Sequence, residues 1–239
     1  MSLKAPKNIE PEKTPEFDEF AENYRQVQDE HLWLSGENSE YFAEYKVRQL
    51  LEWLPQLQNE AINILDFGCG DGLMSEYLRR YFLYARINGA DISEKSIELA
   101  RENFKGIEFS HISSSMLDFE SNSFDLIVSA GVFHHIPGVE HFHWAEQLHR
   151  ILKPGGVCVI FELNPLNPGT QYIFKTHPME KNAKMLWPWQ CKTTFKIFDA
   201  TKILFYCFFP RWFKFLRPLE SWFSKIPFGA LYACLCYKN

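Results

Sequence analysis

Three glycines at a regular spacing follow a short apolar stretch, and an acidic residue precedes them. The apolar stretch covers residues 62–67, the glycines are Gly68, Gly70 and Gly72, and Asp66 lies just before them. A glycine-rich turn between a strand and a helix lets the backbone approach a ligand closely and points helix N–H groups at a negatively charged group. The spacing therefore predicts a ligand-binding turn.

The residues around this turn limit which ligand fits it. The fingerprint of nicotinamide-dinucleotide sites needs a glycine three residues after Gly70, and Leu73 occupies that position. The Asp66 carboxylate would repel a pyrophosphate, but it suits a ligand with a positive amine, such as S-adenosylmethionine (SAM). Asp91 ends the next predicted strand, where a carboxylate accepts hydrogen bonds from ribose hydroxyls. These residues favour SAM and disfavour a nicotinamide oxidoreductase.

Strands and helices must alternate to hold these residues at one edge of a sheet. The apolar patterns predict strands at residues 62–67, 85–91, 107–110, 124–129 and 157–162, with helices at 73–81, 94–104 and 139–152 between them. This alternation is typical of doubly wound sheets, whose ligands bind at the carboxyl ends of the strands. We also expect helices over 17–54, broken near Ser35 and Gly36, and two further edge strands at 202–209 and 230–237.

Five short motifs occur in order along the chain: ILDFGCGDG at 64–72, ADIS at 90–93, SFD at 123–125, VFHHI at 132–136 and RILKPGG at 150–156. Over roughly residues 17–162 the sequence resembles the class I SAM-dependent methyltransferases, in particular the group with quinone-biosynthesis and other small-molecule enzymes. The resemblance implies a Rossmann-like, doubly wound α/β sheet of seven strands whose last strand is antiparallel. It also implies one domain over 15–239, with a helical lid at 15–56 and an acceptor-side insertion at 165–228.

The resemblance also implies a cofactor site. Gly68 and Gly70 would line the methionine part of SAM, and Asp91 with Ile92 would hold the adenosine. Family members often carry an aspartate beside the adenine, whereas this sequence has serines at that position. The predicted cofactor-binding residues are Tyr24, Asp66, Gly68, Cys69, Gly70, Gly72, Asp91, Ile92, Ser114, Ser115, Met116 and Ser129.

Catalysis at an oxygen acceptor needs a group that takes a proton. His134 and His135 follow the fourth predicted strand, and Glu162 ends the fifth with Asn164 close behind it. We predict His134, His135 and Glu162 as the catalytic residues; the alternative is that the two histidines only pack and hydrogen-bond the loop. From the N-terminal helices, Tyr24, Tyr41 and Lys46 are candidates to reach the methionine carboxylate or the acceptor, although core packing explains the two tyrosines almost as well.

Metal binding is not expected from the sequence. His141, His143 and His149 lie at positions i, i+2 and i+6 of a predicted helix, so their side chains do not converge on one face.

The charge is distributed unevenly along the chain. The net charge is −5, but residues 170–239 carry 11 Lys and Arg against 3 Asp and Glu. Within this basic part, residues 211–225 place aromatic and leucine side chains at the spacing of one helix face, with Pro218 in the middle as a kink or a stop. The pattern over 203–228 predicts either peripheral membrane contact or an apolar cover over the acceptor. The alternative is a face that simply packs on the sheet.

Composition excludes several classes of protein. The 239 residues are 46% hydrophobic and 23% charged, which excludes a disordered or collagen-like chain. The negative net charge argues against general nucleic-acid binding. The six cysteines form no Cys-x-x-Cys pair, which favours reduced thiols in the cytoplasm. Residues 1–14 are polar and predict a disordered leader rather than a signal peptide.

We therefore expect a cytoplasmic enzyme that transfers a methyl group from SAM to a small-molecule acceptor. The expected target is an oxygen of an amphiphilic or anionic metabolite. Two alternatives stay open: a C-methyltransferase of a quinone precursor, and a non-catalytic SAM-binding or lipid-surface module. Neither the acceptor nor the oligomeric state follows from the sequence.

Overall fold

A seven-stranded β-sheet forms the centre of the computed structural model, which describes residue 18 and residues 23–239. The strands are β1 (Asn63–Phe67), β2 (Arg86–Asp91), β3 (Glu108–His111), β4 (Phe124–Ala130), β5 (Leu152–Leu163), β6 (Ala200–Tyr206) and β7 (Leu231–Tyr237). Their order in the sheet is β3-β2-β1-β4-β5-β7-β6. The first five strands are parallel, and β7 runs antiparallel to both of its neighbours. The predicted seven-stranded sheet with an antiparallel last strand is confirmed.

Eight helices flank this sheet in the described part of the chain. They are α1 (Tyr24–His31), α2 (Ser39–Trp53), α3 (Leu73–Tyr81), α4 (Glu94–Asn103), α5 (His141–Ile151), α6 (Pro168–Thr176), α7 (Pro188–Thr194) and α8 (Glu220–Phe223). Short 3-10 segments cover Leu32–Leu34, Pro55–Leu57, Pro178–Glu180 and Arg211–Leu219. The described helices include none that is long and apolar enough to cross a membrane.

The sheet separates two apolar cores. One core joins β1 and β4 to α2 and α3 through Val47, Leu50 and Leu78, which are fully buried. The other core joins the opposite face of the sheet to α5 and α7 and contains Leu148 and Phe195. Because side chains alternate along a strand, successive residues of β4 enter different cores. Asp66, between two apolar neighbours of β1, accordingly lies on the face that α3 covers, where Ser75 contacts it.

Local signals explain where several elements begin. The Ser93 side chain accepts a hydrogen bond from the Ser96 N–H at 3.1 Å, which confirms the predicted N-cap of α4. Asn38 caps α2 and Asn167 caps α6 in the same way. These caps fix the starts of helices that border the ligand-binding turn and the predicted insertion.

The structure corrects four expectations about secondary structure. The predicted stop at 153–156 does follow the end of α5, but these residues lie inside β5, which begins at Leu152. The residues of β5 that pair with β4 skip from Leu152 to Val157, so residues 153–156 form a bulge. The predicted strand at 202–209 ends at Tyr206, because Cys207 has a φ of +61°. Helices α6 and α7 lie where no regular structure is predicted. Residues 211–225 form no continuous amphipathic helix: a 3-10 segment with a non-helical Phe213 precedes α8.

The N-terminal expectations are only partly described. Helices α1 and α2 are separated at residues 32–38, which agrees with the predicted break at Ser35 and Gly36. The predicted leader at 1–14, and Phe17, Phe20 and Ala21 of the predicted lid, lie outside the described residues. The division into lid, domain and insertion stays a prediction.

Candidate active site

The glycine turn between β1 and α3 has a left-handed backbone at each of its three glycines. The φ values are +76° at Gly68, +53° at Gly70 and +83° at Gly72. A Cβ atom on Gly68 would lie 2.2 Å from Val132 Cγ2, and one on Gly72 would lie 2.8 Å from Phe109 Cζ. No atom lies within 4 Å of the corresponding position at Gly70. The outer two glycines are therefore needed for packing, whereas Gly70 borders open space.

The Asp91 carboxylate fixes the turn from the neighbouring strand. Its Oδ2 accepts a hydrogen bond from the Gly70 N–H at 2.8 Å, and its Oδ1 accepts one from the Ser93 N–H at 2.9 Å. A carboxylate has about four acceptor positions, so two backbone bonds leave capacity for ligand hydroxyls. Asp91 thus joins β2, the turn and the start of α4 at a single point.

Asp66 is buried at the end of β1, with 1% of its surface exposed. The Ser75 hydroxyl donates a hydrogen bond to Asp66 Oδ2 at 2.6 Å. In the described part of the chain, no basic side chain lies within salt-bridge distance of this carboxylate. Burial raises the pKa of Asp66 to about 7, and the Asp91 charge adds to the rise. The site thus contains a buried acid without a basic partner among the described residues.

A cavity of about 230 Å³ lies over the turn. Asp66 and the turn form one wall, Tyr24 of α1 and Lys46 of α2 form a second, and Thr170 of α6 contributes to a third. An ion pair between Arg25 and Asp71 attaches α1 to the turn. Burial lowers the pKa of Lys46 to about 8, and burial raises that of Tyr24. We call this space the turn cavity.

Some predicted cofactor-binding residues lie outside the turn cavity. Ile92 is 46% exposed and Met116 is 60% exposed. Ser114 donates a hydrogen bond to the Met116 carbonyl at 2.9 Å, and the Ser115 carbonyl accepts one from a histidine of α5. The Ser129 side chain is fully buried, lines no cavity described here, and has no hydrogen-bond partner among the described residues. By contrast, the predicted Tyr24, Asp66, Gly68, Cys69 and Gly70 all line the turn cavity.

The predicted catalytic residues form a separate cluster after β4 and β5. His134 Nδ1 lies 2.6 Å from Glu162 Oε2, and Glu162 Oε1 accepts the Phe133 N–H at 3.0 Å. Glu180, from the 3-10 segment after α6, lies 3.2 Å from His134 Nε2 and 3.5 Å from His135 Nε2. The sequence contains no motif around Glu180, so only the fold brings it here.

The electrostatics of the two histidines differ. Burial lowers the pKa of His134, but the charges of Glu162 and Glu180 outweigh it and raise this pKa to about 10. Burial and the neighbouring His134 lower the pKa of His135 to about 4. Both histidines line a second cavity, of about 1110 Å³, and neither lines the turn cavity. The structure therefore brings His134, His135 and Glu162 together, but not at the turn where the cofactor was predicted.

Comparison with known proteins identifies the middle of the chain. Residues 65–160 match the family described as a methyltransferase domain. This segment is a class I methyltransferase domain. Among curated relatives, a ubiquinone biosynthesis O-methyltransferase of Agrobacterium fabrum is 32% identical over 109 residues, which cover 44% of this chain and 42% of that protein. The enzyme of the same name from Pelagibacter ubique is 32% identical over 139 residues, which cover 52% of this chain and 56% of that protein.

The chain spans about half the length of these curated relatives. Solved structures extend the likeness of the methyltransferase domain to most of the fold. A SAM-dependent methyltransferase of Archaeoglobus fulgidus matches with a TM-score of 0.63 at 19% identity, over 82% of this chain and 94% of the other. A possible histamine N-methyltransferase of Thermotoga maritima matches with a TM-score of 0.65 at 19% identity, over 93% of this chain and 98% of the other. The predicted resemblance to the class I SAM-dependent methyltransferases is confirmed over residues 65–160, and the predicted fold class is confirmed.

Proposed function

We propose that the protein transfers a methyl group from SAM to an oxygen of a small amphiphilic or anionic metabolite. The observation that carries this proposal is Asp66: a buried carboxylate without a cation, beside a glycine turn that borders open space at Gly70. SAM fits this donor set because it brings a positive amine and hydroxyls, and no phosphate. When bound, it supplies a methyl group already activated on a sulfonium.

In this proposal the residues of the turn cavity, and Asp91 behind the turn, have separate tasks. Asp66 binds the amine of the cofactor, and Gly68 and Gly70 allow the backbone to approach the methionine part. Asp91 binds the ribose hydroxyls with the acceptor capacity that its two backbone hydrogen bonds leave free. Closure of α1 over the turn excludes water, as the Arg25–Asp71 ion pair indicates.

The acceptor occupies the remaining part of the turn cavity. Phe42, Leu163 and Ile173 make this part apolar, and Lys46 supplies one titratable group. A lysine whose pKa is lowered to about 8 can take a proton from an acceptor hydroxyl near neutral pH. His134, whose pKa is raised to about 10, is protonated near neutral pH and cannot take this proton. His135 is neutral there and serves as the base only for an acceptor that reaches from the turn cavity into the second cavity. A C-methyltransferase reaction needs less help from a base, which makes the Lys46→Met variant informative.

Calorimetry with SAM and with NADH tests the cofactor proposal. SAM should bind one to one, and Asp91→Asn should weaken it by about 1–3 kcal/mol because a charged hydrogen-bond acceptor is lost. Glu98→Gln, an exposed change on α4, is the matched control and should leave the affinity unchanged. Tight NADH binding without any response to SAM would overturn the proposal.

Turnover with a panel of hydroxylated aromatic and anionic acceptors tests the reaction. Formation of demethylated cofactor, with a product that carries a methoxy group, supports O-methylation. A product methylated at carbon, with activity retained in Lys46→Met, would replace it by C-methylation. Stoichiometric SAM binding without turnover on the whole panel would favour the non-catalytic alternative.

We further propose that the protein contacts anionic membranes through an aromatic surface, defined as the exposed side chains of residues 211–228. Trp212, Phe215, Trp222 and Phe228 are 60–80% exposed there. Basic side chains accompany them along the same segment, which suits lipid headgroups of negative charge. The Arg211 N–H donates to the Ser35 carbonyl, and Ser35 lines the turn cavity. An amphiphilic acceptor would therefore meet the protein beside its reaction site.

Co-sedimentation with vesicles tests this contact. Anionic vesicles should retain more protein than neutral ones at low salt, and Trp222→Ser should reduce the retained fraction. Tyr172→Ser, an exposed aromatic residue of α6 outside the segment, is the control. Equal retention by both kinds of vesicle would refute the membrane proposal.

A reducing compartment such as the cytoplasm is the proposed location. All six cysteines are free thiols, and five of them are buried. Cys234 and Cys236 lie on one strand with their Sγ atoms 3.6 Å apart and remain unlinked. Alkylation of the denatured purified protein without reductant should therefore modify all six thiols.

A further inference from the structure

Three side chains from two distant segments converge beside the second cavity. His134 and His135 belong to the loop after β4, and Glu180 ends the 3-10 segment between α6 and α7. Their nearest ligand-type atoms all lie within 4.8 Å of one another. A pair of imidazole nitrogens and a carboxylate oxygen is a donor set typical of zinc and related transition metals.

The separations of these atoms match a tetrahedral centre. Glu180 Oε2 lies 3.2 Å from His134 Nε2 and 3.5 Å from His135 Nε2. Zinc–ligand distances of about 2.0–2.1 Å place neighbouring ligand atoms of a tetrahedron about 3.4 Å apart. These two separations lie on either side of this value, and the ligand atoms of the two histidines lie within 4.8 Å of each other, so binding of one ion requires at most a modest approach of the two rings.

Two of the three atoms lack hydrogen bonds although they are buried. His134 Nε2 and Glu180 Oε2 have no hydrogen-bond partner within the described residues, and His134 is only 4% exposed. Their contact is an ion pair at 3.2 Å that lacks hydrogen-bond geometry. Because buried polar atoms nearly always make well-formed bonds, an ion bound between the two atoms would satisfy both.

A second carboxylate orients the central histidine. Glu162 Oε2 binds His134 Nδ1 at 2.6 Å, which leaves Nε2 directed toward Glu180. The Phe133 N–H in turn holds Glu162 Oε1 at 3.0 Å. A carboxylate on the far nitrogen of a histidine is the usual support of a metal ligand, because it fixes the ring and increases its basicity.

We propose that His134, His135 and Glu180 bind one divalent transition-metal ion, with zinc the best match, and that Glu162 is a positioning residue. The fourth coordination position faces the second cavity, which His134 and His135 both line. This arrangement with three protein ligands and one open position is the one found in zinc sites that bind a water or a substrate. The proposal is independent of SAM binding, because none of the three ligands lines the turn cavity.

The competing explanation is a proton in place of the metal. A protonated His134 between Glu162 and Glu180 would also balance the two carboxylates. The two explanations differ in the role of His135, which a metal needs as a ligand and a protonated His134 does not need.

Titration of the metal-stripped full-length chain tests the proposal. Zn²⁺ should bind one to one in calorimetry, and Co²⁺ should give the visible absorption of a four-coordinate ion. His135→Ala and Glu180→Gln should each weaken Zn²⁺ binding at least about tenfold, and Glu162→Gln about 10–100-fold with a shifted Co²⁺ spectrum. His111→Ala, an exposed histidine outside the cluster, should bind Zn²⁺ as the wild type does.

The substitutions are chosen so that loss of folding does not obscure the result. Glu180→Gln keeps the shape of the side chain, and circular dichroism with a thermal melt verifies that each variant is folded. Absence of one-to-one Zn²⁺ binding to the wild type would overturn the proposal. Equal Zn²⁺ affinity in the wild type, His135→Ala and Glu180→Gln would also overturn it and would favour the proton.

Discussion

Asp66 and Glu162 are two buried carboxylates at the same edge of the sheet, yet their surroundings are opposite. Both are at most 2% exposed, and they lie at the ends of β1 and β5. Glu162 contacts His134 and the Phe133 N–H, so its charge is compensated within the protein. Asp66 has only the Ser75 hydroxyl, and burial raises its pKa to about 7. One acid is thus compensated by the fold, whereas the other lacks a basic partner in the described part of the chain; under the proposed function, the amine of the cofactor supplies that partner.

The comparison predicts opposite effects on stability and on binding. A buried charge that loses its partner is strongly destabilising, whereas removal of an uncompensated buried charge relieves a cost. Substitution of Glu162 should therefore damage the fold, and substitution of Asp66 should spare the fold and damage cofactor binding. Four measurements test this contrast.

The largest effect is expected for Glu162→Ala. It leaves a buried His134 and the Phe133 N–H without their acceptor, so the free energy of unfolding should fall by about 3–5 kcal/mol. Urea unfolding of the metal-free protein at pH 7 measures this change. Glu162→Gln keeps an acceptor for the Phe133 N–H and should lose less. A loss below about 1 kcal/mol for Glu162→Ala would remove the distinction between the two acids.

Asp66→Asn should have an effect that depends on pH. An unfolded aspartate has a pKa of about 3.9, whereas the pKa of Asp66 in the folded protein is about 7. Between about pH 4 and pH 7 the folded protein therefore holds a proton that the unfolded chain has lost. The stability of the wild type therefore decreases as pH rises from 4 to 7, and Asp66→Asn should not share this decrease. At pH 8 the variant should be more stable than the wild type by up to about 4 kcal/mol; this difference should fall to about 1.5 kcal/mol at pH 5 and nearly vanish below about pH 4.

The same titration affects the cofactor. The charges of Lys46, Asp71 and Asp91 shift the pKa of Asp66, and the Ser75 hydroxyl donates a hydrogen bond to its carboxylate. SAM affinity of the wild type should fall as pH drops below about 7, because Asp66 becomes neutral. Asp66→Asn should bind SAM about 1–3 kcal/mol more weakly at pH 8 and show a flatter profile. If the wild type bound SAM with the same affinity from pH 5 to pH 8, the role of Asp66 would be contradicted.

The smallest effect is expected for Ser75→Ala. Within the described residues the Ser75 hydroxyl alone donates to Asp66, and its loss disfavours the ionised form, so the pKa of Asp66 should rise further. SAM binding at pH 7 should weaken by about 1 kcal/mol, and the deficit should shrink at pH 9 as Asp66 ionises. Calorimetry at both pH values measures it. A deficit that is the same at both would assign Ser75 a purely structural role.

The methyltransferase half of the chain is predictable from sequence because its signals are local. The helix at 73–81 has the predicted bounds, since a glycine turn begins it and an apolar period defines it. Asp66 and Asp91 are found from the same spacing, because parallel strands bring their carboxyl ends to one edge. The bulge in β5 is not predictable in this way, since Lys153 to Gly156 form a turn signal by composition. They lie within the strand although its pairing with β4 skips them, and Gly155 and Gly156 hydrogen-bond instead to Lys238, far along the chain.

The basic part of the chain is less predictable because its structure depends on distant contacts. Residues 211–219 satisfy a helical period, but the segment is held by the Arg217–Glu37 ion pair at 2.9 Å and a Tyr45–Glu220 hydrogen bond. Glu180 illustrates the same limit at the histidine cluster. Its contact with His134 joins positions 46 residues apart, and no pattern near either residue signals it.

The position of β7 inside the sheet has a consequence for how the protein is made. Strand β6 pairs only with β7, which lies later in the sequence, and β7 is also what connects β6 to β5. During synthesis, β6 must therefore leave the ribosome with both backbone edges unpaired and wait about thirty residues for its neighbour. Ribosome-bound intermediates stalled in this interval would expose an aggregation-prone edge that the finished protein conceals.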